Sequence, residues 1–397
     1  MITRYHIRFP LLAMGALALF AALDAGLVRL GWGLPLPNLD LLIAHGPLMV
    51  CGFLGTLICV ERAVALDRWW GYSVPFLAGL GGVGLIAMPA SPLAVLSITL
   101  GSAGLVALFV TFIRRQPALY TVCIGLGALI WLTGNSLRLA GWPLFAVVPW
   151  WMGFLLLTIA GERLELTRLL RPSRRSRVLF SAMLGVFLAG IGLTGIGFAI
   201  DQEFQLLSGA QGELLFVSPL FTLGERLAGL AMAGLAVWLL RYDIARQTVR
   251  QTGLPRFIAV CLLTGYVWLG ASGLLRIGFG RVIGGLPYDA ILHTFFLGFV
   301  FSMIFGHAPV IVPAVLKLPV AFRPAFYVHL VLLHLTLLAR VASDLMSWSP
   351  GREWSGLLNA FVLVFFFGNT GYGVRKATVN GRRSTLRSEG RAAVTSG

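Results

Sequence analysis

The chain has 397 residues, of which 58% are hydrophobic and only 12% are charged, and its mean hydropathy is +0.87. These values exclude an ordinary soluble domain and indicate a polytopic membrane protein. The net charge of +16 would suggest a nucleic-acid partner in a soluble protein. Here the Lys and Arg residues gather in short runs between apolar segments, so we interpret them as determinants of membrane topology and expect no nucleic-acid partner.

Twelve apolar segments are candidates for membrane crossing, since a helix needs about 20 residues to span a bilayer. The sequence therefore predicts an all-α fold, a polytopic transmembrane helix bundle of about 12 spans. The predicted spans lie near residues 9–30, 41–61, 73–88, 93–112, 120–139, 145–161, 178–200, 217–240, 257–276, 291–312, 326–342 and 357–374.

Basic residues are concentrated in every second connection between the predicted spans, as in Arg62 and Arg68 after the second span and Arg114 and Arg115 after the fourth. By the positive-inside rule, this alternation predicts cytoplasmic N and C termini in a bacterial cytoplasmic (inner) membrane. We expect a single transmembrane domain over residues 1–374. The basic segment 375–397 is expected to be a disordered cytoplasmic tail.

Two histidines of the tenth predicted span, His293 and His307, lie fourteen residues apart. On a straight helix, rings at this spacing face nearly the same way and are separated by roughly 21 Å along the axis. A histidine inside a bilayer must find a polar partner, which makes each of them a candidate functional residue. One helix could therefore carry two metal or haem sites.

His45 and His293 enter the membrane from the same predicted outer side, in the second and tenth spans, at similar depths. Two neutral imidazoles at matched depth on separate helices are what bis-histidine ligation of a haem iron requires. We therefore predict that they are the axial ligands of an outer haem. The alternative for each ring alone is a structural hydrogen bond to a backbone carbonyl or a hydroxyl.

The inner histidines predict a second site, for a second haem or for copper, because imidazole is a ligand for several metals. His307 lies deeper in the tenth span, and His329 falls in the first turn of the eleventh, so these two could form an inner pair. His334 is a further candidate ligand there. It lies five residues after His329, about 140° around the helix, so one ligand set would need distortion to use both.

A haem also needs cations for its propionates, and four arginines fall near the predicted outer edge, where the positive-inside rule leaves few. They are Arg29, Arg138, Arg276 and Arg281. We predict that Arg138, Arg276 and Arg281 are propionate partners, with phospholipid headgroups as the alternative anion. Glu225, in the outer half of the eighth span, would either handle protons or pair structurally with a cation.

Two short stretches resemble a known family. The sequence AHGPLM around His45 resembles the AHGxxM stretch in the second helix of haem-copper oxidase subunit I, whose histidine binds the low-spin haem near the outer face. His293, with Val300 and Phe301 beyond it, resembles the tenth helix of that family, which supplies the opposite ligand. The copper ligands have no counterpart, because predicted spans six and seven contain no histidine and Ile291 stands two positions before His293.

The chain is also similar to the NnrS family in size, span count and scattered intramembrane histidines. Those are twelve-span haem- and copper-containing membrane proteins linked to nitric oxide stress in bacteria. The chain lacks that family's doubled HxH near the first histidine. The resemblance implies haem b, with copper or a second haem, and a role in electron transfer or nitric oxide handling.

Two other functions stay open at the level of the sequence. A secondary transporter without a redox cofactor would use broken helices and intramembrane polar residues, for which Pro309, Pro313, Glu225 and Asn135 are candidates. A non-catalytic subunit or assembly factor of a membrane metalloenzyme complex would need partner subunits. The expected partners are therefore the lipid bilayer and either a redox partner or other subunits of a membrane complex.

Overall fold

The structure, a computed structural model, describes residues 4–35, 38–170, 173–208 and 218–395, which form helices and connections without a strand. Twelve of the helices in these ranges are long and apolar enough to cross a membrane, as the sequence predicts. We number them spans 1 to 12: His6–Arg29, Leu41–Leu66, Trp69–Ala87, Pro92–Arg115, Leu119–Leu139, Leu144–Thr167, Arg174–Leu207, Pro219–Tyr242, Gly253–Phe279, Gly285–Leu316, Phe326–Leu345 and Ser349–Val379. Residue 217, the first of the predicted eighth span, lies outside the described ranges.

Consecutive spans pack against one another along most of the chain, because the connections between them are short. Span 1 contacts spans 2, 3, 10 and 12, so the beginning and end of the bundle meet. Small residues allow the helices to approach closely. A Cβ atom on Gly224 of span 8 would overlap the backbone nitrogen of Thr194 in span 7, so a larger residue would push the two helices apart.

The bundle turns apolar side chains outward and buries charges, the reverse of a soluble protein. Val237 and Leu274 are 67% and 64% exposed, whereas Arg276, Asp344 and Glu225 are 2%, 2% and 7% exposed. In water this arrangement would cost free energy on both counts. In a bilayer the outward apolar surface is solvated by lipid, and the charged groups find partners inside the bundle.

Spans 2 and 10 share a break in their helical geometry. Each contains an eight-residue π-helical segment, Leu48–Gly55 in span 2 and Thr294–Phe301 in span 10. A π-helical turn accommodates an extra residue, and each extra residue shifts the phase of the rest of the helix by about 100°. The fourteen-residue spacing therefore does not place His293 and His307 on one stripe, because the straight helix assumed for that prediction is interrupted between them.

The final helix runs from Ser349 to Thr395, well past the apolar part of span 12. The disorder of residues 375–397 stays a prediction, and the structure describes helix up to Thr395. Residues 375–395 contain no proline and include five Arg and three Ala residues, which favour helix. Residues 396 and 397 lie outside the described ranges.

Candidate functional site on spans 2 and 10

The ring of His45 is fixed against span 1. Its Nδ1 lies 2.7 Å from the backbone oxygen of Ala22. The ring also lies over Gly26, where an added Cβ would come within 2.8 Å of the imidazole Cε1. A larger residue at position 26 would therefore displace the ring, so the absence of a side chain there is part of the site.

The ring of His293 is fixed from its own helix. Its Nδ1 lies 2.9 Å from the backbone oxygen of Asp289 and 3.3 Å from the Asp289 carboxylate Oδ2. The four-residue spacing places the two side chains on the same face of the helix, one turn apart. Thr294, the next residue, begins the π-helical segment.

These contacts determine which nitrogen of each ring carries the proton. A backbone carbonyl oxygen can only accept a hydrogen bond, so Nδ1 of His45 and Nδ1 of His293 are the donors. In a neutral imidazole the lone pair then lies on Nε2. Neither Nε2 atom has a hydrogen-bond partner among the described residues.

His45 of span 2 and His293 of span 10 lie within electrostatic range of each other. Two imidazoles with Nδ1 hydrogen-bonded to the protein and Nε2 lone pairs available have the donor set of a bis-histidine haem iron. The residues present therefore fit axial ligation. Beyond them, the side chains of Phe53 and Phe301 on the two π-helical segments stack with ring centroids 6.2 Å apart.

Asp289 is the centre of a network of charges beside His293. Its carboxylate accepts hydrogen bonds from Arg340 of span 11, with Nε to Oδ2 at 3.0 Å, and Arg352 of span 12 lies 3.7 Å from Oδ1. Arg352 in turn lies 3.2 Å from the buried carboxylate of Asp344. The sequence analysis missed these four residues as part of the site. An arginine within the apolar run of span 11 was the signal that could have revealed Arg340.

The arginines predicted as propionate partners do not lie together at this pair. Arg276 donates two hydrogen bonds to the carboxylate of Glu225, with its Nε and Nη2 2.9 and 2.6 Å from Oε2, so its anionic partner lies within the protein. Arg138 donates to the backbone oxygen of Trp142, and Arg281 is exposed in the connection between spans 9 and 10. Arg29, in contrast, lies within electrostatic range of His45 and makes no hydrogen bond or ion pair with the described residues.

His307 faces spans 2 and 6. Its Nδ1 lies 2.7 Å from the backbone oxygen of Met303, which leaves the lone pair on Nε2 as in His45 and His293. Its charged neighbours are Glu61 and Arg62 of span 2 and Arg163 of span 6. Arg62 is also ion-paired with Glu162 of span 6, so the cytoplasmic-side ends predicted for spans 2 and 6 are joined by this pair.

His329 of span 11 packs against a different face of span 10 from the one that carries His307. The structure therefore does not form the predicted inner pair of His307 and His329. Phe305 contacts the His329 ring with centroids 4.8 Å apart. His307 follows Phe305 by two residues, or about 200° around the helix, and so points away from span 11. Among the described residues, no group of three or more His, Cys, Asp or Glu side chains is arranged to hold a metal ion.

The hydrogen bonds of His329 and His334 give them the other tautomer. The Asn369 amide nitrogen lies 3.1 Å from His329 Nδ1, and the Trp268 indole nitrogen lies 3.0 Å from His334 Nδ1. Both of these nitrogens can only donate, so each Nδ1 accepts and each Nε2 carries the proton. His334 Nε2 donates to the hydroxyl of Thr264 at 2.9 Å, which occupies both nitrogens of that ring. Neither neutral ring offers a lone pair for a metal.

The comparisons with known proteins identify one family. A family model described as Domain of unknown function (DUF8744) matches residues 8–370, which includes all the residues of the candidate site. No curated protein and no solved structure matches the chain.

Proposed function

We propose that this chain, which belongs to the family described as Domain of unknown function (DUF8744), binds haem b through His45 and His293 and transfers electrons within the membrane. The observation that carries the proposal is that His45 on span 2 and His293 on span 10 lie within electrostatic range of each other, each with Nδ1 hydrogen-bonded and with Nε2 lacking a hydrogen-bond partner among the residues that the structure describes. When bound, haem supplies a one-electron iron couple.

The chain's own residues would hold and orient the ligands. The Ala22 carbonyl and Asp289 keep the proton on the two Nδ1 atoms, so that both Nε2 atoms stay available. Gly26 leaves room for the His45 ring. Arg29 lies near His45 and has no ion-pair partner in the described part of the chain, so it replaces Arg138, Arg276 and Arg281 as our candidate propionate partner.

Electron transfer is the better supported of the two roles implied by the family resemblance. Two histidines would fill both axial positions, which leaves no open position for a small molecule such as nitric oxide. Nitric oxide handling would require one ring to be displaced.

For a second haem or copper, His307 keeps an available Nε2, whereas His329 and His334 do not. We place the protein in a bacterial inner membrane, with a redox partner or membrane complex still to be identified.

The transporter alternative receives less support, because its candidate polar residues have structural partners. Glu225 is paired with Arg276, and the Asn135 side-chain oxygen accepts from the Trp151 indole at 2.9 Å. Pro309 and Pro313 lie within a continuous helix, Ser302–Leu316.

An absorption spectrum of the detergent-extracted protein tests the proposal. We expect a Soret band and the sharp visible bands of a reduced bis-histidine haem b. His45→Ala or His293→Ala should abolish this spectrum, whereas the control variant His334→Ala should retain it. Purified protein without haem and without iron, after expression in haem-replete cells, would overturn the proposal.

A further inference from the structure

Asp289 places both its backbone oxygen and its carboxylate near Nδ1 of His293, one of the two proposed ligands. Its Oδ2 lies 3.3 Å from His293 Nδ1, and its backbone oxygen lies 2.9 Å from the same nitrogen. His45 has only a neutral backbone carbonyl at the corresponding position. Both imidazoles therefore face a backbone carbonyl, and Nδ1 of His293 also has a carboxylate oxygen within reach.

The carboxylate is held in place from two other spans. Arg340 of span 11 approaches it with Nε and NH2, at 3.0 and 2.9 Å from Oδ2. Arg352 of span 12 approaches Oδ1 at 3.7 Å. The side chain of Asp289 is 17% exposed and that of Arg340 is 7% exposed, so solvent screens this pair weakly. The two arginines therefore fix the position of the Asp289 carboxylate relative to His293.

We infer that Asp289 is a positioning residue that strengthens His293 as an iron ligand, because its carboxylate, held in place by Arg340, shares the Nδ1 proton of His293 with the Asp289 backbone oxygen. The inference rests on the proposed function. A carboxylate that accepts from Nδ1 makes Nε2 more basic and stabilises the more highly charged ferric iron. The midpoint potential of the haem is thereby lowered. Arg340 acts through Asp289, because its guanidinium sets where the carboxylate lies.

The experiment compares midpoint potentials in redox titrations of the full-length holoprotein. Asp289→Asn keeps the size of the side chain and removes its charge, and we expect a higher potential together with a changed low-spin ferric EPR signal. Asp289→Glu should restore the potential at least in part. Asp243→Asn is the matched control, because Asp243 is a buried carboxylate at the end of span 8 that accepts a hydrogen bond from the backbone nitrogen of Ala245 and makes no ion pair with Asp289, Arg340 or His293. Its potential should remain close to that of the unmodified protein.

A double variant separates the hydrogen bond from the net charge and guards against misfolding. Asp289→Asn alone leaves Arg340 buried without its carboxylate, whereas Asp289→Asn with Arg340→Gln removes both charges together. The inference requires the potential to stay raised in the double variant. A return to the original potential would mean that only net charge matters and would overturn it, as would an unchanged potential in Asp289→Asn. Absence of haem from the unmodified protein would overturn the proposed function itself, and with it this inference.

Discussion

At the scale of single residues, hydrogen-bond partners separate the histidines into two groups. His45, His293 and His307 donate from Nδ1 to a backbone carbonyl, whereas His329 and His334 accept at Nδ1 from nitrogen donors. Only the first group can offer an Nε2 lone pair to a metal while neutral. The identity of these residues and the spans that carry them could be predicted from the sequence, but their tautomers depend on partners from other turns and other spans.

Gly26→Ala tests the fit of the His45 ring. An added methyl would lie 2.8 Å from the imidazole Cε1, so the ring must move away from Ala22. We expect substoichiometric haem, measured as the ratio of Soret absorbance to protein concentration. Gly185→Ala is the matched control, because a Cβ at that helical position meets no other atom within 4 Å. Equal haem occupancy in both variants would contradict this account of the site.

The buried pair of Glu225 and Arg276 gives a prediction for stability. Arg276→Gln leaves the Glu225 carboxylate, 7% exposed, without its cation, and we expect a loss of about 3–5 kcal/mol in unfolding free energy. Replacing both residues by Gln should cost less, since no unpaired charge remains buried. Thermal or denaturant unfolding in detergent measures both. Arg226, the exposed residue next to Glu225, serves as the control. Arg226→Gln should change the free energy of unfolding by no more than about 0.5 kcal/mol.

At the scale of helices, the two spans that carry the candidate ligands are also the two that contain π-helical segments. In each case the segment begins within three residues of the histidine, at Leu48 after His45 and at Thr294 after His293. Such segments are rare and occur frequently at functional sites. They set the rotation of the inner half of each span relative to its histidine. Hydrophobic composition reveals the spans, but an eight-residue π-helical segment inside a uniformly apolar run has no periodic signal to reveal it.

Deletion of one residue from the segment Thr294–Phe301 tests its role. Removing the extra residue should favour regular α-helix and rotate the inner half of span 10 by about 100° relative to His293. We expect a protein with altered packing and loss of the bis-histidine spectrum, measured by size-exclusion chromatography and absorption. The control is a one-residue deletion in the exposed connection around Ile283, which should retain the spectrum. An unchanged spectrum after the deletion in span 10 would show that the segment does not position His293.

At the scale of the whole molecule, the twelve spans and the alternation of basic residues predict that both termini face the cytoplasm. The four native cysteines are buried, which makes labelling of introduced cysteines a clean measurement. A cysteine at the exposed Lys376, after the apolar part of span 12, should react with a membrane-impermeant maleimide only in inverted vesicles or after permeabilisation. A cysteine at Ser91, between spans 3 and 4, should react from the outside of intact cells. The reverse pattern would contradict the predicted orientation.

The sequence by itself determined that this is an all-α protein of twelve spans, and it singled out His45 and His293. These properties depend on the length of apolar runs and on residue type, which are local features of the chain. Only the tertiary structure decided that Arg276 pairs with Glu225, that Arg340 holds Asp289, and that His307 and His329 face different spans. Glu225 and Arg276 are 51 residues apart in the chain, as are Asp289 and Arg340. In a low-dielectric interior, buried polar groups must find partners, and the packing of distant helices determines which partners lie within reach.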